Sequence, residues 1–142
     1  MSPAAAQPFV HRLRVRYVEV DMQGHVFNAH YYTWMDVAHT EWVRSRLGTF
    51  SALFDLGIDV VVAESSARFL GSARFDEEVD VEVRLEHLGT TSMITTYTFR
   101  RGEDLLAEGR VRHVCVGTVD APPYVKTPWP DSARRAFDPS PG

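Results

Sequence analysis

The chain has 142 residues, 44% of them hydrophobic, which corresponds to one domain of ordinary size and excludes a disordered protein. Its 15 basic and 19 acidic residues give a formal charge of −4, which argues against nucleic acid as a partner because that requires a clustered basic surface. The single cysteine, Cys115, excludes an internal disulfide. No apolar run approaches the roughly 18 residues of a membrane span, and residues 1–8 do not have the features of a signal peptide. We therefore predict no membrane contact and a cytoplasmic location.

Proline marks the expected boundaries of the domain. All eight prolines lie outside the stretch from Phe9 to Ala121. Because proline disrupts helix interiors and sheet ladders, this gap indicates the folded unit. We therefore predict a flexible N-terminal tail at 1–9, a domain at 10–120 and a Pro-rich C-terminal tail at 121–142. The aromatic residues of the C-terminal tail, Trp129 among them, suggest that part of it docks on the domain.

The first half of the domain predicts a strand followed by a long helix. Apolar and basic residues alternate over Val10–Val20, with Leu13, Val15 and Tyr17 on one face and Arg12, Arg14 and Arg16 on the other. A turn-like segment, 21–25, comes next. From Asn28, a good N-cap, to Leu47 an apolar stripe recurs at helical spacing, formed by Tyr31, Trp34, Met35, Ala38 and Trp42. A short helical turn is predicted within 49–56.

The second half predicts strands. Residues 78–86 alternate valine and leucine with charged residues, and β-branched segments follow at 91–101 and 105–117. One strand, one helix and about four further antiparallel strands define an α+β architecture. Because one helix cannot cover both faces of a five-stranded sheet, we expect a homodimer or homotetramer.

The junction between the first strand and the helix carries the residues best suited to chemistry. The first amides of a helix lack internal partners and can stabilise an oxyanion. Asp21 lies seven residues before the helix, and Gly24 lets the backbone bend between them. A carboxylate beside such amides can act as a nucleophile or general base in acyl transfer. The alternative is that Asp21 caps a turn and His25 is a loop residue.

This junction resembles a known enzyme family. The motif is Val18-Glu19-Val20-Asp21-x-x-Gly24-His25-Val26-x-Asn28-x-x-Tyr31, and a second similar stretch spans residues 68–77. Both are similar to the hotdog-fold acyl-CoA thioesterases, in particular the branch typified by 4-hydroxybenzoyl-CoA thioesterase. The resemblance covers about residues 13–116 and implies the hotdog fold, in which a five-stranded antiparallel sheet wraps one long central helix. Ser72 and Phe75 depart from the proline and tyrosine of many members.

The resemblance implies roles for individual residues. Asp21 matches the catalytic aspartate, which attacks the thioester or activates water, and Gly24 and His25 belong to the same motif. The amide of Asn28 matches the oxyanion donor. Substrate contacts are expected at Tyr31 and, across a subunit interface, from the partner's strands, with Arg68 and Arg74 as cations for the CoA phosphates. The interface candidates are Glu64, Ser65 and Ser66.

Other readings stay open at this point. A hotdog hydratase or dehydratase could use His25 with Asp21, although the hydratase signature is missing. A non-catalytic acyl-CoA-binding module would keep the fold without turnover. A thioesterase needs no cofactor, and we expect none. We also expect no metal, because the spacing of His25, His30, His39, Asp21 and Asp36 matches no compact zinc motif.

Overall fold

A five-stranded antiparallel sheet forms the frame of the protein. In the computed structural model, which describes residues 7–118 and 125–139, the strand order is β1-β3-β4-β5-β2. The strands are β1 (Phe9–Arg14), β2 (Ile58–Phe69), β3 (Glu78–Leu88), β4 (Ser92–Arg101) and β5 (Asp104–Gly117). The predictions for 1–6, 119–124 and 140–142, which include most of the N-terminal tail, lie outside the described residues. β1 and β2 are the edges of the sheet.

The long helix α1 (Ala29–Leu47) packs on one face of this sheet. The predicted apolar stripe is buried, with every member 3% exposed or less. Asn28 occupies the N-cap position, although its side chain makes no capping hydrogen bond, and Gly48 ends the helix with φ of +91°. The predicted α+β fold with one central helix is confirmed. No helix of the described residues is both long and apolar enough to cross a membrane.

The opposite face of the sheet is charged. Val79, Val81 and Val83 of β3 face the helix and are buried, whereas their neighbours face outward. Two members of the predicted basic stripe pair with outward-facing acids of β3: Arg12 contacts Asp80 at 2.8 Å and Arg14 contacts Glu78 at 2.6 Å. The third, Arg16, pairs with Glu19 instead. Charged residues and ion pairs therefore occupy much of the outer face of β1 and β3.

The first strand is shorter than predicted. β1 ends at Arg14, and the chain then forms a 3-10 turn over Tyr17–Glu19. The turn breaks the two-residue alternation, so Tyr17 is 81% exposed instead of facing the core, and Glu19 is 2% exposed. The extrapolated strand to Val20 was therefore wrong beyond residue 14, because hydrogen bonds to Glu19 turn this side chain inward.

The C-terminal segment packs at the far end of α1. Trp129 and the helix α3 (Asp131–Phe137) lie in the second described range, 125–139. The short helix α2 (Ala52–Asp55) comes earlier in the chain. Phe137 stacks on Trp42 with ring centroids 5.3 Å apart, and the indole of Trp129 donates to the carbonyl of Ser92 at 3.0 Å. Residues 125–139, assigned by sequence to a tail, therefore contribute to the core.

Candidate active site

A tight hairpin, residues 19–27, carries Asp21 to the start of α1. The amide of Phe27 donates to the carbonyl of Glu19 at 3.0 Å, and the amide of Asp21 donates to the carbonyl of His25 at 2.8 Å. Gly24 adopts φ of +83° in the turn, a conformation that glycine reaches without strain. The hairpin therefore has a defined shape and ends beside Asn28, where α1 begins.

The Asp21 carboxylate is held through one of its two oxygens. Oδ1 accepts hydrogen bonds from the amides of Gln23 at 2.8 Å and His25 at 3.3 Å. Within residues 7–118 and 125–139, Oδ2 has no hydrogen bond or ion pair. The side chain is half-buried. A positioned carboxylate with one unused oxygen can attack a carbonyl carbon or accept a proton from water.

The first turn of α1 offers two backbone donors next to the hairpin. The amides of His30 and Tyr31 already donate to the carbonyls of Phe27 and Asn28, at 2.9 and 3.1 Å. No hydrogen bond among the described residues uses the amides of Asn28 or Ala29. They lie at the positive end of the helix dipole, where a developing negative charge is stabilised.

Hydrogen bonds tie the hairpin to the core beneath it. The amide of Val26 donates to the carbonyl of Ala73 at 2.9 Å, and the amide of Ala73 donates to the hydroxyl of Tyr31 at 3.4 Å. Tyr31 is 1% exposed and meets Phe99 edge to face. Burial raises the pKa of Tyr31, so its hydroxyl stays protonated. The structure thus places this predicted substrate contact below the hairpin, as its support.

Glu19 is a buried carboxylate that sequence reasoning missed. It accepts hydrogen bonds from the backbone amide of Arg16 at 2.7 Å, the Arg16 guanidinium at 3.1 Å and the indole of Trp34 at 2.8 Å. Burial raises the pKa of Glu19, but these bonds and the Arg16 charge outweigh it, and the pKa lies below its ordinary value. Glu19 therefore fastens the 3-10 turn to α1. Glu19 stands in the junction motif without an assigned role, and Arg16, three residues before it, does not fit the S/T-x-x-E pattern that marks a capping glutamate.

The predicted substrate residues on β2 lie on two faces of the sheet. Ser65 pairs with Val111 of β5 and faces the helix, as Val111 does. Glu64 and Ser66, its neighbours along the exposed edge strand, face the opposite side because side chains alternate along a strand. Within one chain these three residues therefore do not form a single wall.

The two predicted cations also differ in their surroundings. Arg74 lies beside the hairpin, since it forms an isolated bridge with His25, and its exposed guanidinium makes no ion pair with any described residue. Arg68 lies on the outer face of β2, 3.8 Å from the carboxylate of Glu108. The structure thus brings Arg74, but not Arg68, next to Asp21, Gly24, His25 and Asn28.

A cavity of about 140 Å³ lies between α1 and the sheet, and we call it the helix-side cavity. Its lining residues with polar groups are Tyr32 and Asp36 of α1, Ser65 of β2, Tyr97 of β4 and His113 of β5. Tyr32 and Asp36 follow Asn28 at spacings of four residues, so all three lie on one face of the helix. Tyr32 is about 6 Å along the helix axis from Asn28. The cavity therefore lies along the helix face of Asn28 and begins about one helical turn beyond it.

The histidines that were considered as metal ligands do not form a metal-binding group among the described residues. Among the described residues, no group of three or more His, Cys, Asp or Glu side chains is arranged to hold a metal ion. His39 is buried and stacks on His113, a residue that the sequence analysis did not single out. A histidine in an apolar strand gives no signal of this pairing before the strand and helix are packed together.

Known proteins share the family and the fold of this chain. The family model described as "Thioesterase superfamily" matches residues 23–114, more than half of the chain. The chain belongs to the thioesterase superfamily. This confirms the resemblance seen at the junction and the enzyme class, thioester hydrolysis. The matched range includes Gly24, His25 and Asn28 and begins two residues after Asp21.

Individual relatives agree with this assignment of the thioesterase. The chain is 28% identical over 112 residues to the Acyl-CoA thioester hydrolase YbgC of Escherichia coli, and the alignment covers 78% of this chain and 84% of the relative. The structure of BH1999 gentisyl-coenzyme A thioesterase superposes with a TM-score of 0.78 at 27% identity, covering 91% of this chain and 98% of that one. A structure of a hypothetical protein from Aquifex aeolicus, 23% identical, shares the fold with a TM-score of 0.84, covering 92% and 99%.

Proposed function

We propose that this thioesterase hydrolyses acyl-CoA thioesters, with Asp21 as its catalytic carboxylate. The observation that carries the proposal is the Asp21 side chain, which two backbone amides hold through Oδ1 while Oδ2 has no partner within the described part of the chain. The CoA carrier is supported by the relatives, one named an acyl-CoA thioester hydrolase and one a gentisyl-coenzyme A thioesterase. No metal or cofactor takes part in this proposal.

Two routes follow from this geometry. In the first, Oδ2 of Asp21 attacks the thioester carbonyl carbon, the C–S bond breaks, CoA leaves as the thiolate, and water hydrolyses the resulting anhydride. In the second, Asp21 takes a proton from a water molecule that attacks the same carbon. Both routes place negative charge on the carbonyl oxygen, and the amides of Asn28 and Ala29 are the proposed donors to it.

The neighbours of Asp21 have supporting roles in the proposal. Gly24 gives the hairpin its shape, and His25 contributes its backbone amide to Oδ1. Arg74 is the proposed contact for a CoA phosphate, because its guanidinium is exposed beside the hairpin and unpaired among the described residues. Tyr31 supports the site from below, and Ser65 lines the path beyond the first helical turn.

We also propose that the active form is a homodimer or homotetramer. β2 is a twelve-residue edge strand, and Val62 on it is 55% exposed. Long exposed edges of this kind pair readily with another strand. A partner aligned along this edge would give Glu64, Ser66 and Arg68 access to the neighbouring site, which they lack within one chain. Light scattering on the purified protein measures the mass directly, and a monomer at assay concentration would contradict this proposal.

The proposed reaction is tested by thiol release from short, long and aryl acyl-CoAs. We expect turnover by the wild type and a loss of about 10²-fold or more in Asp21→Asn, which keeps the Oδ1 acceptor but removes the charge. Glu103→Gln is the matched control, since Glu103 is an exposed carboxylate in the turn before β5, and it should retain full activity. Equal rates for wild type and Asp21→Asn would place the chemistry elsewhere, and the absence of thiol release from every CoA ester would refute the reaction.

A further inference from the structure

An aromatic pair, Tyr17 and Phe75, projects from the protein surface and has no role in the proposed reaction. Tyr17 is 81% exposed and Phe75 is 52% exposed, and their rings meet edge to face with centroids 5.5 Å apart. In such a contact the edge of one ring covers one face of the other, so most of the ring surface stays open. Val18, the next residue in the chain, is exposed as well. Several large apolar side chains exposed together mark a binding surface.

Backbone hydrogen bonds join the two segments that carry the aromatic pair. The amide of Val15 donates to the carbonyl of Glu77 at 2.9 Å, and the amide of Asp76 donates to the carbonyl of Val15 at 3.0 Å. The carboxylate of Glu77 accepts from the amide of Arg74 at 2.7 Å and from the guanidinium of Arg101 at 3.0 Å. The two rings therefore project from backbone that is already ordered, and a ligand that binds them does not have to order a loop.

Arg74, which precedes the second ring of the pair in the chain, supplies a positive charge. Its guanidinium is exposed, and no carboxylate in the described part of the chain pairs with it. The neighbouring acids are engaged elsewhere, since Asp76 lies 3.5 Å from Arg14 and Glu77 lies 3.0 Å from Arg101. A guanidinium binds phosphate oxygens through parallel hydrogen bonds. This surface therefore suits a ligand that has both an aromatic ring and phosphates.

The same surface adjoins the residues that hold Asp21. Arg74 forms a bridge with His25, and the amide of His25 donates to Oδ1 of Asp21 at 3.3 Å. Paired Cα atoms across an antiparallel bridge lie about 5 Å apart and consecutive Cα atoms about 3.8 Å apart, so the Cα of Phe75 lies within about 9 Å of the Cα of His25. The pantetheine arm of CoA contains two amide units between its sulfur and its diphosphate, and it is long enough to connect the two places.

We propose that the aromatic pair and Arg74 form the site for the adenine nucleotide of CoA. The adenine stacks on an open ring face of Tyr17 or Phe75, and Arg74 binds the phosphates. The inference rests on the proposed function, because it takes CoA to be the thiol carrier and its thioester to lie at Asp21. Stacking of a base on an aromatic side chain contributes about tenfold or more to affinity.

The test compares two thioesters of the same acyl group, one on CoA and one on pantetheine, which lacks the nucleotide. The reacting thioester is chemically the same in both, so a difference in kcat/KM reports binding of the nucleotide. For the wild type we expect kcat/KM to be about tenfold or more higher with the CoA ester. Tyr17→Ala and Phe75→Ala should each lower this advantage several-fold, mainly by raising KM, because the nucleotide is bound equally before and during the reaction. Arg74→Gln should do the same through loss of the phosphate contact.

Phe54→Ala is the matched control. Phe54 lies on α2, is 48% exposed and also meets another ring edge to face. Because it lies outside both the hairpin and the turn that carries Phe75, its removal should leave the ratio of the two esters unchanged. Circular dichroism and thermal unfolding establish that each variant is folded before rates are compared.

A measurement on the wild type uses adenosine 3′,5′-bisphosphate, the nucleotide of CoA without its pantetheine arm. It should inhibit hydrolysis of the CoA ester competitively and leave hydrolysis of the pantetheine ester unaffected, because the pantetheine ester does not occupy the nucleotide site. The inhibition should weaken in Tyr17→Ala. Inhibition of both esters, or of neither, would overturn the inference.

The outcomes separate the inference from the reaction. If the pantetheine ester and every acyl-CoA are inert, the proposed function fails. If the wild type hydrolyses both esters equally well, or if Tyr17→Ala and Phe75→Ala lose activity on both to the same extent, the reaction stands and the nucleotide site is refuted. Variants that keep full activity on the CoA ester but lose it on the same acyl group carried by an acyl carrier protein would assign this surface to a protein partner and likewise refute the site.

Discussion

Two carboxylates two residues apart, Glu19 and Asp21, have opposite surroundings. Glu19 is 2% exposed and accepts three hydrogen bonds, one of them from the indole of Trp34 in α1. Asp21 is half-buried, and among the described residues only its Oδ1 is bonded, to two amides of its own hairpin. A carboxylate whose oxygens are all bonded within the chain holds structure together, whereas one with an unused oxygen remains available to a substrate. Residue type alone does not distinguish the two.

The sharpest test of this contrast is the stability of Glu19→Ala against that of Asp21→Asn. Glu19→Ala leaves the buried Trp34 indole and the partly buried Arg16 amide without this acceptor, and should lower the free energy of unfolding by about 3 kcal/mol. Asp21→Asn retains the Oδ1 acceptor and should change it by less than about 0.5 kcal/mol. Urea unfolding measures both, and equal losses would erase the distinction between the two carboxylates.

Lowering the pH should reveal the effect on stability of a third ionisable group, His113, which is buried without a partner for its charge among the described residues. The pKa of His113 lies at about 4 against an ordinary value of 6.5, because burial disfavours the charged ring. The unfolded chain therefore binds more protons than the folded chain between these values, and stability falls as the pH is lowered through this window. From pH 7.5 to 4 the loss from His113 alone should be about 3 kcal/mol.

Unfolding measured across this pH range, in wild type and His113→Phe, checks the assignment. The variant should show a flatter decline between pH 6.5 and 4. Glu19 acts at the acid end of this window and below it, because its stabilising contribution is complete above the ordinary value of 4.5 and is lost as the pH falls through its lowered pKa. A decline that is unchanged in His113→Phe would show that His113 does not drive it.

Gly109 of β5 tests how closely α1 packs on the sheet. A Cβ at this position would overlap Sδ of Met35, a buried residue of α1. Gly109→Ala should therefore cost about 2 kcal/mol, since overpacking a close helix–sheet contact forces side chains or backbone to move. Met35→Ala in the same chain should recover part of the loss caused by Gly109→Ala, and a double-mutant cycle measures this coupling. Additive losses would mean that the two residues do not press on each other.

The smallest expected effect is at Gly24, in the hairpin that holds Asp21. Nothing lies within 4 Å of a Cβ built there, so only the φ of +83° opposes a side chain. Gly24→Ala should lower the free energy of unfolding by about 1 kcal/mol, and Gly24→Asn by less, because asparagine tolerates the left-handed region. Thermal unfolding of the two variants gives the ranking, and a larger loss in the asparagine variant would contradict the conformational explanation.

The helix and the later strands could be predicted from sequence because each has a strong local period. The stripe from Tyr31 to Trp42 and the alternation around Val81 both describe one face of one element. The end of β1 could not be predicted in this way. Tyr17 continues the alternation of Leu13 and Val15, yet the bonds that draw Glu19 inward come from Arg16 and from Trp34, fifteen residues away.

The residues of the candidate site also fall into two groups, those predictable from local sequence and those that depend on contacts between distant strands. The motif around Asp21 and Gly24 pointed to the hairpin and the helix start, which the structure places side by side. The faces of β2 depend on its pairing with β5, including the register shift between Val62 and Glu64, and so Ser65 enters the helix-side cavity while Glu64 and Ser66 do not. Register between strands distant in sequence leaves no mark on either strand alone.

By itself, the sequence determined the α+β fold, the thioesterase family and the hairpin residues, because short-range patterns encode helices, strands and turns. Only the tertiary structure decided that Glu19 is structural, that Tyr31 lies beneath the site, and that His113 stacks on His39 with a buried Nδ1 unpaired among the described residues. Burial and hydrogen bonding depend on which elements meet across the core, and those contacts arise only when the helix packs on the sheet.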